Sequence, residues 1–135
     1  DITSLASPIL LLFVPFIILG ANSTYGFLLL LLLINEIIGS LIKYFFYKPR
    51  PDGQEYKGIL EKIDAGSFPS LHASRITIVY LTLFSYVTDI YIQAALLFMM
   101  IAVMISRVLL KRHFITDIVG GFVIGAVLWW ISGRI

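Results

Sequence analysis

Five apolar stretches of 17 to 23 residues divide the chain: Leu5 to Ala21, Tyr25 to Tyr47, Leu71 to Val87, Ile92 to Leu110 and Phe114 to Ile131. Each is long enough, as a helix, to cross a hydrocarbon layer about 30 Å thick. A segment inside lipid must satisfy its own backbone, and none of these runs alternates like a barrel strand, so helices are expected. The expected fold class is therefore all-α: a polytopic transmembrane bundle of about five spanning helices, making one membrane-embedded domain over 1–135. Hydrophobic residues are 59% of the chain, charged residues 13%, and the mean hydropathy is +0.97, which excludes a soluble domain of 135 residues. Leu5 to Ala21 lacks the basic leader and cleavage site of a signal peptide, and is expected to span. Pro8 and Pro15 are candidates to bend it. In the last run, Gly121-x-x-x-Gly125 is the pattern of two helices in close contact.

Five crossings put the ends of the second and fourth runs, and the starts of the third and fifth, on one side. Nearly all the charge lies there. The other side has the short connections Asn22 to Thr24 and Thr88 to Tyr91, with Arg134. Two aromatic belts agree with this: Tyr25, Tyr86, Tyr91, Trp129 and Trp130 on one face, Tyr44, Tyr47 and Tyr56 on the other. The net charge is only +2 and its cations cluster, so no nucleic-acid partner is expected. With no cysteine, there is no thiolate nucleophile or disulfide framework.

Charge at a bilayer edge is costly and needs a function. Ser106-Arg107-x5-His113-x3-Asp117 concentrates it between two of the most apolar runs. His113 and Asp117, four apart, share a face if both are helical, and the carboxylate then accepts from one ring nitrogen and leaves the other as a nucleophile. Arg107 is suited to holding an anion before it, a phosphate ester. At the end of the second run stand Lys43 and Arg50, with Pro49 and Pro51 stopping the helix; alone they also fit a basic collar at a membrane boundary. At the start of the third run come Pro69-Ser70-Leu71-His72. Ser70 reads as an N-cap, and the helix it caps aims free N–H groups at the same region. Two histidines, several cations and a helix N-terminus are what phosphoryl transfer requires: charge neutralisation, an in-line nucleophile and an acid opposite it. No metal is expected, because Asp117 is the only well-placed carboxylate and the cations would repel the ion.

Other polar positions leave alternatives open. Glu36, two turns before Lys43, can orient that lysine, meet a polar part of a substrate or join Asn35 in helix packing. The segment from Asp52 to Ser67 sets Tyr56, Ile59, Leu60 and Ile63 opposite Glu55, Lys57, Glu61 and Lys62, as in a short interfacial helix, either a lid or a connector. Lys48, Arg75, Lys111 and Arg112 can add contacts to a diphosphate or anionic lipid.

The three segments Lys-x6-Arg-Pro at 43 to 51, Pro-Ser-x-His at 69 to 72 and Ser-Arg-x5-His-x3-Asp at 106 to 117 resemble the three-part signature of the type-2 phosphatidic acid phosphatase superfamily. The resemblance implies a membrane lipid phosphate phosphatase acting on a monoester or diphosphate, of the phosphatidate or phosphatidylglycerophosphate type or a polyprenyl diphosphate. It implies that His113 attacks phosphorus to form a phosphohistidine, that Asp117 holds its ring, and that His72 protonates the leaving group and then activates water. Lys43, Arg50 and Arg107 would bind the phosphoryl oxygens, with Ser70 and the backbone N–H of Leu71 assisting and no cofactor taking part. It further implies a multi-pass protein of the cell membrane with its site facing outward, and it allows a sixth crossing ahead of Asp1. Leu71 stands where the family usually has glycine, so a narrowed pocket is expected there. The expected partners are the lipid substrate and the bilayer. A non-catalytic lipid-binding or transport protein with the same anion site is the alternative. Neither the lipid nor the oligomeric state is readable from the residues.

Overall fold

The structure is a computed structural model that describes residues 2–133, with side chains from 11 onward. Six helices follow one another: α1 (Ile2–Leu19), α2 (Ser23–Phe45), α3 (Ile59–Ala65), α4 (Leu71–Tyr86), α5 (Ile90–Leu109) and α6 (Ile115–Ser132). No strand occurs among the described residues beyond a single bridge between Pro49 and Gly66. The expected all-α class holds. Among the described residues, three helices, α2, α5 and α6, are long and apolar enough to cross a membrane. Of the other two expected crossings, α4 has 16 residues and α1 has 18. Arg134 and the side chain of Pro8 lie outside the described residues; Pro15 is buried.

The bundle is organised around α4. Ala73, Ser74, Ile76, Thr77, Ile78, Val79, Thr82 and Leu83 are all buried on it, whereas α5 buries only Leu96, Met100 and Arg107. A helix wrapped on every side tolerates hydroxyls that return to its own backbone: Thr77 Oγ1 donates to the Ala73 carbonyl at 2.7 Å and Ser74 Oγ to Leu71 at 3.1 Å. The outer helices point large apolar side chains away from the bundle, Phe98 at 75% exposure and Phe45 at 70%. Those surfaces match a surrounding of lipid, and this is an integral membrane protein.

The glycines of α6 explain its close approach to α4. A Cβ at Gly121 would collide with the Ser70 carbonyl and one at Gly125 would stand 2.6 Å from that of Ser74. Backbone packs on backbone there, as the spacing predicts. The helix ends are conventionally capped: Asn22 Oδ1 accepts from Tyr25 N at 3.0 Å, and Asp89 Oδ1 accepts from Tyr91 N at 2.9 Å.

Polar residues within the bundle part from the alternatives left open by the sequence. Glu36 of α2 is not turned toward Lys43; it makes a two-pronged ion pair with Arg75 of α4, Nη2 to Oε2 at 2.6 Å. Arg75 is thus held by the fold instead of standing free. Asn35 is fully buried and neither its Nδ2 nor its Oδ1 has a partner. The short interfacial helix exists as α3, with Ile59 63% and Leu60 83% exposed beside Lys62, whose Nζ lies 4.8 Å from the Tyr44 ring centre. Apolar exposure on one side and a cation on an aromatic belt suit a segment resting at the headgroup level.

Candidate active site

Four helix ends meet at one end of the bundle. The last turn of α2 brings Lys43, the first turn of α4 brings Ser70, Leu71 and His72, the last turn of α5 brings Arg107, and the first turn of α6 brings Asp117. Between them run the connection after α2, with Lys48 and Arg50, and the turn at 110–114 that carries His113. Lys43 and Arg107 are each 4% exposed and His113 is 2% exposed. All the sequence-predicted site residues come together here.

Two backbone ties assemble the site. The Arg107 carbonyl accepts from the backbone N–H of both Arg112 and His113, at 3.1 and 3.2 Å. This folds the 110–114 turn back on α5, with Lys111 at φ 56° to make the reversal. Arg107 and His113, six apart in sequence, therefore become neighbours. The second tie is the Pro49–Gly66 bridge, reinforced by Ser67 N donating to the Lys48 carbonyl at 2.7 Å. It returns the chain from α3 to the end of α2, so that Ser67 enters the site next to Lys48.

The cations converge. The charged neighbours of Lys43 are Arg50, Asp64, Arg75 and Glu36; those of His72 are Arg107, Arg75, His113 and Lys43. Arg50 donates to Gln54 Oε1 at 3.4 Å, and Gln54 in turn donates to Asp64 at 2.8 Å and accepts from Arg112 at 3.2 Å. Arg50 Nε and His72 Nε2 are buried with no hydrogen-bond partner. An N–H left this way at a cation cluster suits an incoming anion, since unmade hydrogen bonds in a buried site are costly. Ser70 caps α4, its Oγ accepting from Ala73 N at 3.4 Å, so the helix N-terminus faces the same place.

His113 departs from the expected arrangement. Its Nδ1 lies 2.7 Å from the Ser67 carbonyl and 4.0 Å from Asp117 Oδ2, so the ring is held by a backbone oxygen and not directly by the carboxylate. The four-residue spacing fails because His113 precedes α6: Phe114 is the N-cap, and Asp117 turns its Oδ2 back to accept from Phe114 N at 2.7 Å. Asp117 also accepts from Ser67 Oγ and, on Oδ1, from Lys48 Nζ at 2.6 Å. The carboxylate thus reaches His113 through Ser67. A carbonyl partner requires Nδ1 to carry the proton, which leaves Nε2 with a lone pair. Burial lowers the His113 pKa to about 4, helped by the Lys43 charge and opposed by the Ser67 hydrogen bond, so the ring is neutral at pH 7. In lipid nanodiscs the His113 ring should show the neutral Nδ1–H pattern by ¹⁵N NMR at pH 6. A midpoint near the ordinary histidine value of about 6.5 would contradict this.

Ser67 and Lys48 are the residues that spacing did not single out. Ser67 sits in an unremarkable loop next to Phe68, and only the return of the chain through the bridge at Gly66 reveals it. Lys48, which the sequence offers as a contact to a diphosphate or anionic lipid, is bonded to Asp117 and Thr116. Arg112 likewise pairs with Asp52 at 3.3 Å. Leu71, expected to narrow the pocket, packs its side chain over Gly39 of α2, where a Cβ would collide with it. Glycine at 39 is what makes room for leucine at 71.

Apolar cavities border the charged cluster. One of about 570 Å³ is lined by His113, Phe114, Ile115, Val108 and Lys48; another of about 340 Å³, between α1 and α2, runs along Leu11, Leu29, Leu32 and Leu33 to Glu36 and Arg75.

No curated protein and no solved structure matches the chain. Residues 24–135, from the first turn of α2 onward and with all three signature segments, match the family model of the PAP2 superfamily. The chain belongs to the PAP2 superfamily, a family of phosphatases acting on phosphate esters.

Proposed function

We propose that this protein hydrolyses the phosphate monoester or diphosphate of a membrane lipid through a phosphohistidine on His113. The observation that carries the reading is the neutral His113, its Nδ1 bonded to the Ser67 carbonyl at 2.7 Å, set among Lys43, Arg50 and Arg107. In the first step Nε2 forms a bond to phosphorus while the bond to the leaving oxygen breaks. His72 supplies the proton to that oxygen, then takes one from the water that cleaves the phosphohistidine. Lys43, Arg50 and Arg107 neutralise the equatorial oxygens, with Ser70 and the N–H of Leu71 as further donors. Asp117 stabilises the ring charge that develops on phosphorylation from 4.0 Å away. Our reading sets this site at the outer face of the cell membrane, which the family resemblance supports.

The bordering cavities support a lipid over a water-soluble ester, because a chain in the bilayer can lie along Leu and Phe walls while its headgroup meets the cations. Phosphate release by the detergent-solubilised protein should be measured on phosphatidate, phosphatidylglycerophosphate and an isoprenyl diphosphate, with chelator present. Release from at least one lipid, and far less from glycerol 3-phosphate, is expected. Release confined to the soluble ester would remove the lipid assignment; none from any substrate would favour a lipid-binding role.

A further inference from the structure

We propose that Lys48 and Ser67 are positioning residues for His113, acting as a relay from Lys48 through Asp117 and Ser67 to the ring. The proposal rests on the phosphohistidine reading and assigns two residues that are not among the defining positions of the three signature segments. Asp117 is fully buried, and its described partners are Lys48 Nζ, Ser67 Oγ and Phe114 N. Lys48 alone among them carries a charge. A buried carboxylate stripped of its counter-charge is strongly destabilised. Lys48 is itself pinned, with Thr116 Oγ1 at 3.1 Å and the Phe114 ring centre at 4.6 Å.

Ser67 is bonded at both its ends. Its hydroxyl donates to Asp117 Oδ2, its N–H donates to the Lys48 carbonyl at 2.7 Å, and its carbonyl accepts from His113 Nδ1 at 2.7 Å. One residue thereby couples the carboxylate to the direction in which the ring hydrogen bond is made. During phosphorylation the proton stays on Nδ1, donated to the Ser67 carbonyl; the Nε2–phosphorus bond forms as the bond from phosphorus to the leaving oxygen breaks, and that oxygen takes its proton from His72. Lys48 and Ser67 exchange no proton and touch no phosphoryl oxygen. Their effect is on orientation, as expected for partners that hold a reacting group through its own partner.

The test is Lys48→Met in the full chain in nanodiscs, with kcat on the best lipid, the inhibition constant for inorganic phosphate, and ¹⁵N NMR of the His113 ring. His72→Asn supplies the assignment, since the chain has two histidines. A fall in kcat of about 10- to 100-fold is expected, with the phosphate constant within about twofold and the ring changed from one tautomer to a mixture. Lys48→Arg should restore most of the rate. Unchanged kcat would overturn the proposal. So would a phosphate constant that weakens in step with kcat, which would make Lys48 a ligand of the anion, or a slow variant with the single tautomer intact. Should Lys48→Met fail to fold, Ser67→Ala removes one hydroxyl and decides the matter by the same three readings, with about a tenfold loss in kcat expected. If the wild-type protein releases no phosphate from any lipid, the functional reading fails, and the NMR comparison still tests the relay.

Discussion

His113→Ala should lose phosphate release by on the order of 10⁴-fold or more while the helices remain folded. The chain has no cysteine, and on the proposed reading its other histidine, His72, serves the leaving group, so no second thiolate or imidazole replaces the lost ring. Residual hydrolysis would come from the Lys43, Arg50 and Arg107 cluster acting on water, the part of the rate owed to charge stabilisation alone. Removing the ring also leaves the Ser67 carbonyl without its His113 partner, at a cost of about 1–3 kcal/mol. Circular dichroism and the melting midpoint must therefore accompany the kinetics. Acid-labile radiolabelled phosphate on the wild-type protein, absent from the variant, would identify the covalent intermediate. Activity within tenfold of wild type would end the phosphohistidine mechanism.

Gly121→Val is expected to damage both fold and site. A Cβ at 121 meets the Ser70 carbonyl and, at 3.0 Å, the Ala73 Cβ; the first is backbone and cannot rotate away. Overpacking commonly costs about 1–3 kcal/mol, and forcing two backbones apart belongs at the upper end. A melting midpoint about 10 °C lower in detergent follows for a chain of this size. The displaced residue is the N-cap of α4, two residues before His72, so kcat/KM should fall more than tenfold even in the folded fraction. Gly26→Ala is the control, since a Cβ there meets nothing within 4 Å. A Gly121→Val protein as stable as that control would refute the close α4–α6 contact.

The all-helical class and the course of the long helices were legible because a segment in lipid must satisfy its own backbone; of the five expected crossings, three, α2, α5 and α6, are long and apolar enough among the described residues. Residues that lie at helix ends, Lys43, Ser70, His72, Arg107 and Asp117, could be brought together from topology alone. The handling of Asp117 could not. Its spacing from His113 suggests a helical pair, yet the cap of α6 falls at Phe114, between the two, and the carboxylate is spent on the helix start. Ser67 and Lys48 depend on a single bridge between Pro49 and Gly66, and pairings between irregular segments leave no periodic trace. Leu71 shows the same limit: its effect on the pocket is decided by Gly39, 32 positions earlier, on another helix.

Ser70 N, at the cap of α4, donates to the Asp117 carbonyl in the first turn of α6 at 3.0 Å. On the proposed mechanism, the helix that carries the acid His72 and the helix that carries Asp117, the carboxylate behind the nucleophile, are thus fastened at their adjoining ends. Bilayers differ in thickness, and spanning helices respond by tilting. With α4 and α6 pinned there, tilt moves His72 and Asp117 together. Membrane composition should then alter the depth at which a headgroup is met and the ease with which a lipid enters or leaves, while the separation of the reacting groups is inherited from folding.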